Sequence, residues 1–570
     1  MLHHSTNRRV FLQTLATGAT LPLLAACGAT APAAPAAPAA GTAPTSKPAS
    51  ASAYPSFIPF TGGAKPDFPS AGALYQDGFI NYPKNPQKVM LATPPGAGGK
   101  VLCYTNNSAP APPTPFEQNL AWQTVNKELN ADVQFTIIAQ ADYTTKLQTV
   151  MAGSDLPDIM LIPGGGAAGT TIQNLSQFLG AQAADLTPYL GGDAAKDYPF
   201  LAAIPTFAWK NSGCVRNGKL QMIPIERYYP GSMLLKNRDV YDAEIGKDYT
   251  PKNADDFKRV LQTLTRPTDN RWGIGAYANQ MYYIYFYAAM FGAPNGWALD
   301  SNGKLTKDIE TPQYKEAMAY TRDLVASGVY HPDALTIADS TRGRDAFIGS
   351  KFVLDVWTFG NAWQDGWTRG PKQNPSVTPA SVLPFPAHDG GKAQHFFGRG
   401  YFGMTAFKKA SADRVKELLR IANWLAAPFG SAEDLLLTTG VKDIDYSVGA
   451  DGSITVLPPS NQDANSVPWK YIVQRPQVAY WPGIPEYAKA ATDFEKAAVA
   501  VGVADPTLGF TSATLDSKGS VLQQNLIDGI TDILAGRRPL SDYDQLVKDW
   551  QSNGGSAIRT ELEQSIAAAQ

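Results

Sequence analysis

The chain is short of the residues that metal sites and disulfide scaffolds depend on. It has 3 cysteines, Cys27, Cys103 and Cys214, and 5 histidines in 570 residues. No two cysteines have the spacing of a metal-binding pair, and once Cys27 is set aside only one disulfide could form. Cys103 lies in a strand-like apolar run and Cys214 in a loop-like stretch, so both are expected to be unpaired. Beyond the leader the histidines are His331, His388 and His395 alone. The motifs G-x-S-x-G, H-E-x-x-H and G-x-x-x-x-G-K-[ST] are all missing. A formal net charge of −2 withholds the basic surface on which nucleic-acid affinity rests. No apolar run after the N-terminus is long enough to span a bilayer. The expectation is a protein without cofactor, metal or nucleic-acid partner.

What is present begins with a readable N-terminus. Arg8-Arg9 precede Val10-Phe11-Leu12, and a mostly apolar stretch runs from Leu15 to Leu24. That stretch is too short for a spanning helix and has the form of a signal core, with Arg-Arg-x-Phe-Leu matching a twin-arginine export signal or a charged n-region of ordinary secretion. Leu24-Ala25-Ala26-Cys27 resembles a bacterial lipobox, in which the cysteine becomes the lipidated first residue. From Gly28 to Pro59 the composition is Ala/Pro/Thr/Ser-rich, and such chain cannot bury a core. It reads as a tether, with order beginning near Lys100.

The chain, at 570 residues with 44% hydrophobic content, has enough for two full cores. Val101–Tyr104, Val133–Ala139 and Asp158–Ile162 read as strands, separated by a helix begun by Thr114-Pro115 and a second over Asp142–Met151. This β-α-β-α-β order predicts a mainly parallel sheet with ligand beyond the strands' carboxyl ends. A second α/β unit follows. Strands are expected at 220–225, 233–235, 352–356 and 381–385, with helices at 253–264, 311–325 and 411–425 and near 485–501, 520–535 and 541–551.

Two motifs have a plainer reading than their pattern suggests. Gly164 to Gly169 matches G-x-G-x-x-G, but Pro163 disturbs it and Asp185, at the right offset, opens a loop or helix. The useful reading is a loop at Gly164 and Gly165 that lets ligand approach the backbone. Asp300-Ser301-Asn302-Gly303-Lys304 opens like a calcium loop but has Thr311 at the twelfth place, so a hairpin turn is expected.

The positive signal is aromatic residues beside polar ones in predicted loops. These are Glu226-Arg227-Tyr228-Tyr229, Gln280 to Tyr283, Trp357 to Trp363 with Asn361, Arg399-Gly400-Tyr401 and Tyr480-Trp481. A flat ring covers the C–H face of a sugar, while Arg, Glu and Asn fix hydroxyls or a carboxylate. Tyr282 also fits a core position, and Trp357 ends a buried strand at the site-facing end. Arg227 and Arg399 admit an acidic sugar, although an arginine more often pairs with a protein carboxylate.

Gly153-Ser154-Asp155-Leu156-Pro157-Asp158-Ile159 resembles the extracellular solute-binding family 1 of bacterial ABC transporters, in its LplA-like lipoprotein branch. The resemblance extends over about residues 100–550. It runs through Asn217-Gly218-Lys219-Leu220, Leu235-Lys236-Asn237-Arg238, Tyr314 to Pro332, Leu383-Pro384, Gly398 to Gly403 and Phe429 to Glu433. It implies an α/β fold, a two-lobed periplasmic-binding-protein-like clamp with interlobe hinge crossovers near 226–232, 381–388 and 435–450. The implied divisions are a signal peptide at 1–27, a tether and irregular lead-in at 28–98, and lobe 1 at 99–226. Lobe 2 follows at 227–383, a return to lobe 1 at 384–440, and a C-terminal helical region mainly on lobe 2 at 441–570.

The same resemblance implies a monomeric, non-enzymatic importer subunit. It would be exported and lipid-anchored through Cys27 to the outer face of the cytoplasmic membrane, passing a sugar or oligosaccharide to ABC permease subunits by hinge closure. By position Glu226 or Arg227 matches a polar ligand contact of the family and Trp357 a stacking aromatic. Tyr401 and Trp481 are looser matches. The rival readings are a lipid-anchored secreted carbohydrate-active enzyme, a lyase or glycosidase whose two carboxylates any acidic chain can supply, or a structural surface lipoprotein.

Overall fold

A computed structural model describes residues 52–70, 72, 74–90, 93–107, 113–164, 172–278, 280–337, 339–358, 366–375, 377–457, 464 and 466–569. The leader with Cys27 lies outside the described residues, as do Gly165 and Asn361.

Lobe 1 is built on a five-stranded sheet. Its strands are β1 (Lys100–Asn107), β2 (Asp132–Ala139), β3 (Ile159–Pro163), β4 (Met222–Glu226) and β9 (Tyr401–Phe407). The order is β2-β1-β3-β9-β4. The apolar run Ile159–Ile162 is buried throughout, as a strand covered on both faces must be. β1 runs parallel to β2 and β3, but β9 lies antiparallel between β3 and β4. The strands of the β-α-β-α-β unit are parallel as expected, and the sheet is mixed only through β9, the one of its five strands that runs the other way. β9 arrives from the other lobe, and its direction is set by that return.

Helix α1 (Leu120–Leu129) starts later than Thr114-Pro115 predicted. Pro115 leads only a 3-10 turn over Phe116–Gln118, and the Asn119 side chain caps the helix proper by accepting from the Trp122 N–H at 2.8 Å. Helix α2 (Gln140–Ala152) follows β2. Cys103 and Cys214 are buried and unpaired.

Lobe 2 has a four-stranded sheet of β5 (Ser232–Asn237), β6 (Trp272–Ile274), β7 (Phe352–Thr358) and β8 (Pro379–Val382), in the order β8-β5-β7-β6. Its helices begin where side-chain caps predict. Asn253 caps α3 (Ala254–Leu264), and Thr311 caps α4 (Pro312–Ala326). In lobe 1 Ser411 likewise caps α5 (Ala412–Leu425). The Asp300–Lys304 segment is a hairpin turn joining Trp297–Leu299 to Leu305–Lys307, with Gly303 at φ +76°. The helices Pro485–Ala500, Ala513–Leu534, Tyr543–Trp550 and Ser556–Ala569 complete the chain. The last of them has no counterpart in the sequence reading.

Each lobe has its own apolar core, and the chain passes between them three times. The first crossover links β4 to β5, and the second runs from β8 to β9. The third lies near 473–479, not near 435–450. Val467, Trp469 and Tyr471 to Val473 still pack in the lobe 1 core, whereas Ala479 and Tyr487 pack beneath the lobe 2 sheet. The stretch expected to cross instead stays on lobe 1, where Leu435 packs with Phe429 and a hairpin joins Tyr446–Val448 to Ile454–Val456.

Described residues of the lead-in already pack on the body well before Lys100. The aromatics of the lead-in set it apart from the Ala/Pro chain before it. Phe60 meets Phe200 edge-on at 5.1 Å, and Phe79 and Tyr82 are buried against Phe429. The Tyr82 hydroxyl donates to Asp434 at 2.9 Å. Asp77–Gly78 pairs in parallel with Val478–Ala479 in the third crossover.

Candidate ligand-binding cleft

The three crossovers meet at close quarters. The Gly398 N–H donates to the Tyr229 carbonyl at 2.8 Å, tying the second crossover to the first. Gly231 sits at φ +79°, and a Cβ there would lie 2.7 Å from the Gly398 nitrogen. Only a residue without a side chain fits that approach. The Gln477 N–H donates to Glu226 at 2.8 Å, tying the third crossover to the first.

Around this junction lies a cavity of about 750 Å³. Such a volume falls within the roughly 300–1,000 Å³ of small-molecule sites. Its floor in lobe 2 is the row Leu234, Val356 and Val382, which are neighbours across the sheet. Lobe 1 contributes Tyr401 and Phe402 from the start of β9. The short helix Ile284–Met290 contributes Tyr285 and Phe286. That helix follows Met281, Tyr282 and Tyr283, all at positive φ (48°, 50° and 61°). Non-glycine residues there carry backbone strain. The turn is held by Tyr330, whose hydroxyl donates to the Tyr282 carbonyl at 2.7 Å, and by the Tyr283 hydroxyl on Asp355.

Of the sequence-derived site residues, Arg227, Tyr228, Arg399 and Tyr401 line this cavity together. Arg227 Nη1 donates to the Gln474 side chain at 2.6 Å and to the Glu226 carbonyl at 2.8 Å, and its guanidinium lies 5.1 Å from the Phe402 ring centroid. Arg399 lies 5.2 Å over Tyr401. Gly164 stands under Tyr401: a Cβ would come within 2.7 Å of that ring, so the glycine admits a side chain of the protein rather than a ligand.

Four expected residues are elsewhere. Trp357 is 2% exposed and packs edge-on against Phe347 in the core, with its indole N–H on Asp355. Successive strand residues face opposite sides, so the neighbouring Val356 takes the cavity face and Trp357 the other. Tyr282 packs edge-on against Tyr330 within the lobe 2 core. Trp481 lies half-buried against the cluster beneath the lobe 2 sheet. Glu226 is buried behind the wall, lining a second cavity of about 630 Å³ between crossover and lead-in.

The sequence reading missed Lys470 at the lobe 1 end of the third crossover, Gln474 and Arg475 within it, and Gln394 and His395 of the second, all on the cavity wall. The polar run Gln474-Arg475-Pro476-Gln477 was the available signal, a proline-broken segment between apolar ones. The Gln394 side-chain oxygen is buried with no partner among the described residues.

Electrostatics at the junction follow burial. Desolvation lifts Glu226 to about 7 against the pull of the Gln477 N–H and of Arg227 and Arg475. It lifts Glu495 to about 8, and the nearby Glu226 adds to the rise. His395, burial-depressed to about 4, is neutral and meets the Pro230 carbonyl through Nε2. Among the described residues no cluster of His, Cys, Asp and Glu could hold a metal ion, and no helix is long and apolar enough to cross a membrane.

A cavity between two α/β lobes joined by three crossovers defines a hinged binding clamp. The chain belongs to the bacterial extracellular solute-binding protein family, whose model matches residues 110–428. It is similar to lipoprotein LipO of Bacillus subtilis (strain 168), with 23% identity covering 79% of this chain and 89% of that protein. It is also similar to the polygalacturonan/rhamnogalacturonan-binding protein YtcQ of the same organism, at 24% identity over 79% of this chain and 88% of the relative. Among solved structures, it shares its fold with an HMO-binding, ABC-transporter-associated solute-binding protein from Bifidobacterium longum infantis. The TM-score is 0.61 at 12% identity, covering 82% of this chain and 99% of the other.

Proposed function

We propose that the protein is the extracytoplasmic solute-binding lipoprotein of an ABC importer, and that it takes a sugar or oligosaccharide in the cleft. The observation that carries this reading is the cavity wall, where Tyr401, Phe402 and Tyr285 stand beside guanidinium and amide groups drawn from both lobes and the crossovers. Rings of that kind cover the C–H faces of a sugar while the polar groups take its hydroxyls. Hinge closure over the ligand adds contacts that exist only in the closed form, and the permease reads that form. The binding named for YtcQ and for the HMO-binding structure supports an oligosaccharide, and the name of LipO supports the lipid anchor at Cys27. The twin-arginine pattern at Arg8-Arg9 completes the proposal with export before anchoring. Binding without hydrolysis is favoured over the glycosidase reading. A glycosidase directs two carboxylates at its substrate, and no carboxylate lines this cavity among the described residues.

The test is a thermal-shift screen of the purified protein against mono- and oligosaccharides, followed by calorimetry. A binder gains stability with ligand by mass action, by about 2.7 kcal/mol at a hundredfold excess over Kd, and releases no product. Chromatographic detection of shortened sugar, or no shift with any member of the panel, would overturn the reading.

A further inference from the structure

We infer that the cleft selects a carboxylated sugar, an oligosaccharide bearing uronate units. This deepens the proposed function and rests on it. The cavity wall carries Arg227, Arg344, Arg399, Lys470 and Arg475, and no aspartate or glutamate among its described residues. The chain as a whole has 48 basic and 50 acidic residues, so this imbalance is local to the cleft.

Three of these cations, Arg227, Arg399 and Lys470, stand apart from the arginines that the protein itself neutralises. Arg475 is neutralised through Asp434 at 2.6 Å. Elsewhere in the fold arginines behave the same way, as with Arg271 on Glu244 and Arg414 on Asp158. Arg227, Arg399 and Lys470 differ, because among the described residues none of them has a carboxylate at ion-pair distance. Arg227 meets only the Gln474 amide and a backbone carbonyl. The carboxyl of its neighbour Glu226 is engaged on the far side of the wall by the Gln477 N–H. Arg399 and Lys470 rest over the rings of Tyr401 and Tyr471 at 5.2 and 5.4 Å. Cations held partly out of water on neutral partners gain most from an incoming anion, because a charge-assisted bond forms where the local dielectric is low.

The arrangement also matches the shape of an acidic sugar. Arg399 stands over Tyr401 and Arg227 over Phe402, at consecutive positions along β9. Each pair sets a cation against an aromatic ring on the cavity wall, so a sugar carboxylate that meets the cation brings its pyranose ring alongside that aromatic.

The experiment compares trigalacturonate and trimannuronate with their full methyl esters, which keep the skeleton and remove the charge. Maltotriose serves as the neutral reference. Calorimetry is done on the full mature chain at low and raised NaCl. At least one acid is expected to bind about tenfold or more tighter than its ester, with the advantage shrinking as salt is added. Arg399→Gln and Lys470→Gln should each lower affinity for the acid several-fold, and by more than they lower affinity for the ester. The acid-to-ester ratio of the unaltered protein decides the matter even where a variant fails to fold. Esters or maltotriose binding as well as the acids would overturn the charge inference and leave the sugar reading standing. Heat from none of these sugars would overturn the charge inference, and if the wider screen also shows none the proposed function falls with it.

Discussion

Replacing Glu226 and Glu495 by glutamine should flatten the dependence of stability on pH. Both carboxyls are buried at the junction, one at the end of β4 and the other in the helix Pro485–Ala500. Burial lifts Glu226 from 4.5 to about 7 and Glu495 from 4.5 to about 8. Arg227 and Arg475 favour the ionised form of Glu226 but do not outweigh its desolvation. A group whose folded-state pKa lies above its unfolded value binds an extra proton in the folded state between the two. The stability it contributes is full below about pH 4.5 and is lost as pH rises through the folded pKa. Each such proton is worth about 1.4 kcal/mol per pH unit across its window. For Glu226 the window is about 2.5 pH units, so the loss is on the order of 3 kcal/mol by pH 7, with Glu495 continuing the fall towards pH 8. Glutamine keeps an oxygen for the Gln477 and Gln76 N–H donors, which approach at 2.8 and 2.7 Å, but it cannot ionise. Guanidinium unfolding followed by tryptophan fluorescence at pH 5, 6, 7 and 8 measures the effect. The double variant should lose less stability between pH 5 and 7, by about 1–3 kcal/mol per pH unit for the one or two protons removed. Identical slopes in the two proteins would refute the assignment of these carboxyls as protonated hinge groups.

Trp357→Ala should cost about 3–5 kcal/mol of stability, as removal of a buried tryptophan does, while ligand Kd changes little; a selective loss of affinity would return Trp357 to the site. Tyr401→Ala should do the reverse, weakening sugar binding by about 1–3 kcal/mol from lost stacking and burial with a small change in melting temperature. Gly231→Ala introduces a Cβ 2.7 Å from the Gly398 nitrogen at φ +79°. It should destabilise by at least about 1–2 kcal/mol, measured by denaturant unfolding. Burial raises the thiol pKa of Cys103 and, to about 12, of Cys214, so peptide mapping after iodoacetamide should find neither alkylated until the protein is unfolded.

Local signals were legible in the sequence and long-range ones were not. The helix starts expected at 253, 311 and 411 fall on Asn253, Thr311 and Ser411, whose side chains cap those helices, because the signals at a helix start act within a few residues. The hairpin at Asp300–Lys304 followed from Asn-Gly in the same way. The first crossover was placed because β4 and β5 are adjacent in sequence. The third was misplaced because the chain inserts a hairpin on lobe 1 before leaving it, and nothing in composition marks which lobe a hairpin joins. Trp357 illustrates the finer limit. Its strand was found, but facing is decided by register, and a shift of one residue exchanges the cavity face for the core. Tyr282 failed for a related reason, since the left-handed turn over Met281–Tyr283 sends Tyr282 inward and leaves Tyr285 and Phe286 on the wall.

The cleft charge shows why a site of this kind resists discovery along the chain. Arg227 belongs to the first crossover and Arg399 to the second, with Lys470 and Arg475 around the third. Residues from 227 to 475 are brought together only because three separate passages between the lobes run side by side. Those passages are bonded to one another, through Gly398 to Tyr229 and through Gln477 to Glu226. Like charges gathered where the three passages meet repel one another, and an anion seated among them would relieve that repulsion. On the proposed function, a ligand that supplies the anion would act on all three passages at once, where rotation of the lobes would be centred. The same cations that select the ligand would then bias the hinge. On that proposal recognition would be coupled to closure without any further element between them.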